Sequence, residues 1–84
     1  MGIATRLELY NRMEPNVWYQ LKLGAFFKYD IATEQNGYVD YIVIFKNAIE
    51  QKRMSLQKVY QVSNHVVQRA PNPKALEILY EKKT

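Results

Sequence analysis

Cysteine is absent from the sequence, which excludes disulfide staples, thiolate nucleophiles and thiolate metal sites, and leaves the redox compartment open. Histidine occurs once, at His65. With no second His and no clustered carboxylates around it, it can complete neither a zinc site nor a general-base arrangement from its neighbours in the chain. The glycines, Gly2, Gly24 and Gly37, lie too far apart to build a phosphate-cradling loop. Ser55 and Ser63 lack the G-x-S-x-G setting of an activated hydroxyl. The longest uninterrupted apolar run, Tyr41 to Phe45, is far short of the ~20 residues a bilayer requires. The opening MGIATRLELYNRM lacks an apolar signal-peptide region, and Arg6 stands where an N-myristoylation pattern needs Ser or Thr. These absences argue against an enzyme, a cofactor, a metal site or a membrane association, and lead to the expectation of a soluble cytoplasmic protein.

What is present is apolar and aromatic. Hydrophobic residues make up 48% and aromatics 13% of the chain, with seven Tyr, three Phe and one Trp. That is enough area to offset chain entropy in a packed core. At 84 residues without repeat, linker or low-complexity tract, the expected organisation is a single domain over 1–84.

The net charge of +4 is unevenly spread. Residues 1–45 carry four Lys or Arg against five Asp or Glu, a net −1. Residues 46–84 carry eight against three, a net +5. No acidic residue occurs from Gln51 to Leu76. Such asymmetry points to an anionic partner for the basic half.

Several local signals place elements along the chain. Thr5-Arg6-Leu7-Glu8 fits a capping box and opens a first helix of about Arg6 to Met13, with Leu7, Tyr10, Met13 and Ile3 as its apolar stripe; Pro15 and Asn16 break or restart it. Residues 16–24 fit either a helix behind Pro15 or a strand alternating Val17, Tyr19, Leu21 and Leu23, and the reading leans to a helix ending near Gly24. Asn36-Gly37 is the dipeptide of a type I′ turn. It joins two segments rich in aromatic and β-branched residues, about 25–34 and 38–46. Counting outward from that turn, Thr33 faces Asp40, Ile31 faces Ile42 and Tyr29 faces Ile44, which puts Asp30 and Asp40 on opposite faces. The second strand is apolar on both faces, as suits an inner strand with helices packed on the sheet.

Ser55 reads as an N-cap. Leu56, Val59, Tyr60, Ser63, Val66, Val67 and Ala70 recur at helical spacing, so a helix over about 48–70 is expected. Pro71 and Pro73 end it, and a last helix over about 73–83 follows with lysines at its negative dipole end. The fold class is α+β: a central β-hairpin packed by an N-terminal helix and two C-terminal helices.

On the polar face of the 48–70 segment, Lys58, Gln61, Asn64, His65, Gln68 and Arg69 follow at three- and four-residue steps, and Lys46, Lys52, Arg53 and Lys74 extend the set. These are the side chains that reach phosphates and base edges. QVSNHVVQRA has the Ser-x-x-x-Val spacing that opens many recognition helices. Only Ser55 to Gln61 would remain for a preceding helix, however, and no Gly marks the turn, so one continuous helix is the better reading. The expected function is a small basic nucleic-acid-binding (DNA or RNA) or regulatory protein. The alternative is an inhibitor or adaptor of the kind mobile elements encode, which engages an acidic protein surface through a Tyr-rich sheet or the basic helix. A homodimer or homo-oligomeric structural component is the third reading.

Overall fold

The computed structural model of the chain describes residues 6–83. Thr5 of the expected capping box and Ile3 of the first apolar stripe lie outside the described residues. The chain runs α1 (Arg6–Arg12), β1 (Tyr19–Leu21), β2 (Phe26–Gln35), β3 (Tyr38–Phe45), β4 (Ala48–Ser55), α2 (Leu56–Val62), β5 (Val66–Arg69) and α3 (Pro73–Lys83). Single 3-10 turns lie at Lys22–Gly24 and Ser63–His65. One antiparallel sheet in the order β4-β3-β2-β1-β5 is covered by helices on both faces, an α+β domain as the sequence implied.

The two cores follow from strand alternation. On one face Phe27 and Tyr29 of β2, Val39 of β3 and Tyr19 of β1 are buried against Leu9 and Met13 of the α1 region and Val59 of α2. On the other face Ile42 and Ile44 of β3 pack with Trp18, Ala70 and Leu76 of α3, with Leu79 and Tyr80 alongside. The first helix buries Leu9 and Met13, a spacing of four, while Leu7 is 67% exposed, so the expected Leu7 stripe is rotated. Burial at ~25 cal/mol per Å² of apolar area makes these two clusters the main stabilising contribution.

Asn36 (φ 53°) and Gly37 (φ 80°) both have the positive φ of a type I′ turn. Beyond the turn the pairing departs from a regular hairpin. Gln35 faces Tyr38, but the next pair is Asp30 with Asp40, followed by Tyr29 with Tyr41, Lys28 with Ile42 and Phe27 with Val43. Ile31 to Glu34 therefore stand opposite Val39 alone, an extended bulge. Side chains hold it in place. Thr33 Oγ1 accepts from Asp40 N (2.7 Å) and donates to Asp30 O (2.7 Å), and Asp30 Oδ1 accepts from Ala32 N (3.0 Å). Asp30 and Asp40 consequently share a face, which corrects the expectation from simple counting.

Two further readings are corrected. Within residues 16–24 the structure has β1 (Tyr19–Leu21) and a short 3-10 turn (Lys22–Gly24) rather than a helix, because Tyr19 and Gln20 pair with both β2 and β5. The expected helix over 48–70 is instead β4, the seven-residue α2, a 3-10 turn and β5. AIEQKRMS is composed largely of helix formers, but β3 is apolar on both faces and lies between two strands, and β4 supplies an uninterrupted ladder from Phe45–Ala48 to Tyr38–Ser55. Tertiary pairing overrides local propensity here. Ser55 does cap α2, its Oγ accepting from Lys58 N at 3.1 Å.

Helix α3 is fastened by Glu77, whose Oε1 accepts from Trp18 Nε1 (2.5 Å) and Lys28 Nζ (2.5 Å), with Lys28 also over the Trp18 ring. The Lys28 hydrogen bond, helped by Trp18, holds the Glu77 carboxyl below its ordinary range against an opposing effect of burial. A folded-state value below the unfolded one stabilises above the usual carboxylate range and is lost as pH falls through the folded value. Urea unfolding midpoints should therefore drop on acidification, and Glu77→Gln should flatten that dependence while lowering stability at neutral pH. Leu23 sits at φ 70° with 94% of its side-chain-bearing surface exposed. Leu23→Gly should therefore stabilise by about 0.5–1 kcal/mol, read as a rise in thermal midpoint, because it relieves left-handed strain and buries nothing less.

Candidate nucleic-acid interface

The folded chain divides the sequence-expected cations and amides into groups, because β4 and β5 are opposite edges of the sheet. Lys52 and Arg53 lie on β4, and Lys58 in the first turn of α2. Gln61 is exposed further along α2, and Asn64 and His65 are exposed in the 3-10 turn after it. Gln68 and Arg69 belong to β5. Lys46 occupies the β3–β4 turn with φ 56°, its Nζ 5.4 Å from the centre of the Phe45 ring. Lys74 is on α3, across the sheet from α2. The single continuous polar helix face is thus replaced by separate patches, and Val66 and Val67 are in a strand rather than a recognition helix.

Acidic partners missing from the segment 51–76 lie outside it, on other parts of the chain for Arg69 and Arg53 and two residues earlier on the same strand for Lys52. Arg69 pairs with Glu14 (2.6 Å) and lies over Tyr19; Arg53 pairs with Asp40 (2.6 Å); Lys52 reaches Glu50 at 3.7 Å. The Glu14 hydrogen bond raises the Arg69 pKa further. Gln68 Nε2 donates to Gln20 Oε1 (2.8 Å), and Asn64 Oδ1 accepts from Arg12 Nη1 (2.5 Å). Arg12 also lies 4.6 Å from the centre of the Tyr60 ring, which ties α1 to the end of α2. Lys46, Lys58 and Lys74 form no ion pair with a described residue.

Arg53 acts first as a structural clamp. Besides Asp40, its Nη2 donates to Thr33 O (3.2 Å) and Tyr38 O (2.8 Å), so one guanidinium bridges the bulge and the neck of the β2–β3 turn.

An open cleft at one corner of the fold brings an ammonium unpaired among the described residues beside an exposed aromatic ring. Tyr38, Tyr41, Arg53, Met54, Ser55 and Lys58 line an open cleft of about 350 Å³ where the hairpin neck meets the start of α2. Tyr38 is 52% exposed. Tyr41 stacks on Phe27 with ring centres 5.7 Å apart, so its ring is fixed in orientation. Burial, then the nearby Glu50, pushes its phenol up from the ordinary value and keeps it a neutral donor. Lys52 is the cross-strand neighbour of Tyr41 and adds an exposed ammonium. An exposed phenol ring beside the unpaired Lys58 ammonium can accept a base and a flanking phosphate. The three cations of this group are among the site residues expected from sequence, and Tyr38 and Tyr41 are not. Only the true register, with Tyr41 beside Lys52 and Tyr38 beside the α2 cap, joins them.

Among the described residues no cluster of three or more His, Asp or Glu could hold a metal ion, and no helix is long and apolar enough to cross a membrane. No protein-family model matches the chain, and neither curated protein sequences nor solved structures give a match to it.

If Arg53 is a clamp, its loss is felt in folding. Arg53→Ala should lower the unfolding free energy by about 1–2 kcal/mol, a discounted value for charged hydrogen bonds at a part-exposed site. Arg53→Lys should recover little of it, since a single ammonium cannot span three acceptors. Denaturant unfolding of both variants measures this.

Proposed function

We propose that the chain is a small basic nucleic-acid-binding protein of regulatory type, acting in the cytoplasm, and that it contacts single-stranded nucleic acid through the Tyr38–Tyr41–Lys58 cleft. The observation that carries this reading is the half-exposed Tyr38 ring sharing one cleft with Lys58, a cation without an ion-pair partner among the described residues. In this reading Tyr38 stacks a base, Lys58 neutralises a flanking phosphate, and Arg53 keeps the walls in register. Gln61 lies on the same helix as Lys58 and would extend the contact along α2.

A second reading has support in the charge pairing. Arg53, Arg69 and Lys52 already have carboxylate neighbours, which reduces the field offered to a polyanion and suits a protein–protein module. An acidic protein surface carrying an aromatic or apolar anchor would use the same cleft.

Salt titration of binding to an unstructured oligonucleotide decides between them. Nucleic-acid affinity should fall log-linearly with salt, at a slope of roughly 0.7 per phosphate neutralised for a single strand. Lys58→Ala should lower that slope by about that amount. Tyr38→Ala should cost about 1–3 kcal/mol in binding while Tyr38→Phe is nearly neutral. Lack of any oligonucleotide binding at physiological salt, or binding indifferent to Lys58 and Tyr38, would reject the nucleic-acid reading in favour of the protein-binding one.

A further inference from the structure

Strand β4 ends the sheet, and no strand pairs with its outer side among the described residues. It is eight residues long, its ladder to β3 has no bulge, and it contains no proline. Ala48 and Glu50 to Arg53 are all exposed. Leu56 N donates to Gly37 O at 2.8 Å, in register with the Tyr38–Ser55 pair. Bonded pairs in an antiparallel ladder recur at every second residue. The backbone groups of Ala48, Glu50, Lys52 and Met54 therefore point to β3, and those of Ile49, Gln51 and Arg53 point outward, free to bond another strand.

We propose that this edge pairs with β4 of a second copy of the same chain, antiparallel about a two-fold axis at Gln51. In that register Gln51 faces Gln51 of the second copy and Ile49 faces its Arg53. Every outward N–H and C=O of these residues then has a partner. Glu50 falls opposite Lys52 of the second copy, and Lys52 opposite its Glu50. These two contacts occupy non-hydrogen-bonded positions, where cross-strand side chains come closest. Registers centred on Glu50 or on Lys52 set two like charges face to face. Registers displaced by a single residue set outward backbone groups against inward ones. The pattern Glu50-Gln51-Lys52 is thus self-complementary in one arrangement only.

Charged residues on an edge strand usually discourage association with other sheets. Here the same charges select one partner, the chain itself, as an isologous interface requires. Among the described residues of a single chain Glu50 has only loose partners, Lys52 at 3.7 Å and the Tyr41 hydroxyl at 3.3 Å, so its carboxylate is available to pair across the axis. The arrangement continues the sheet across two copies and keeps α1 and α2 of both on one side.

Sedimentation of the full chain over a concentration series tests this. A reversible monomer–dimer equilibrium is expected. E50K or K52E alone should weaken it by roughly tenfold, because two attractive pairs become repulsive. An equimolar mixture of E50K and K52E should restore association, since each chain then offers the charges the other lacks. Q51P removes an outward N–H and the exposed bond from the Tyr80 hydroxyl to Gln51 Oε1 (2.9 Å) but none of the bonds to β3, so it should retain the circular dichroism of the fold and sediment as monomer. A chain that is monomeric throughout, or a dimer indifferent to E50K, K52E and Q51P, overturns the proposal. So does failure of the mixed variants to re-associate.

Discussion

The bulge at Ile31–Glu34 decides which side of the sheet each β2 residue occupies. Because four residues face one, the pairing below it is displaced by three, an odd number, from the register a plain hairpin would have. In strands an odd displacement exchanges faces relative to the partner strand. Without it Tyr29 would share a face with Ile42 and Ile44. With it Tyr29 lies beside Tyr41, and its buried hydroxyl donates to Met13 O at the end of the first helical segment (2.6 Å). Desolvation raises that phenol's pKa well above the ordinary value, so it stays a donor. The division between the α1–α2 core and the α3 core therefore rests on the bonds of Thr33, Asp30 and Arg53 at the hairpin neck.

Parts of this arrangement were legible in the sequence. The Asn36-Gly37 turn, the Ser55 cap and the last helix depend on residues whose local chemistry admits few alternatives, and the structure has all three. β3 could be recognised as an inner strand from its two apolar faces. β4 could not be recognised, because an edge strand needs little apolar character and Glu, Gln, Lys and Arg are equally at home in a helix. Nothing in its own residues outweighs β3's requirement for a second neighbour. The bulge was hidden for a different reason: it contains no glycine and is made by side-chain bonds from Asn16, Thr33 and Arg53, residues far apart in the chain.

The candidate site was legible by residue type and not by location. The acid-free run from Gln51 to Leu76 suggested one uncompensated surface, but proximity along the chain is a poor guide to electrostatic proximity. Glu14 and Asp40, distant in the chain, approach Arg69 and Arg53 in space. The charge that remains beside the aromatic cleft is concentrated on Lys58, so the chemistry of the site is set as much by Tyr38 and Tyr41 as by net charge. α2 links this corner to the one where Arg12 meets Asn64, and it carries the chain from one sheet edge to the other.

That crossing has a kinetic consequence. β2, β3 and β4 are joined by tight turns, so their ladders close short loops. The Tyr19–Arg69 pair joins strands at far-separated positions in the chain and must wait for α2 to span the sheet. Trp18, the sole tryptophan, sits at that seam, its carbonyl accepting from Ala70 N at 3.0 Å. The indole is thus placed at the ladder that joins the most distant stretches of the chain, and it touches α3 as well, so it marks the seam where the two ends of the fold meet.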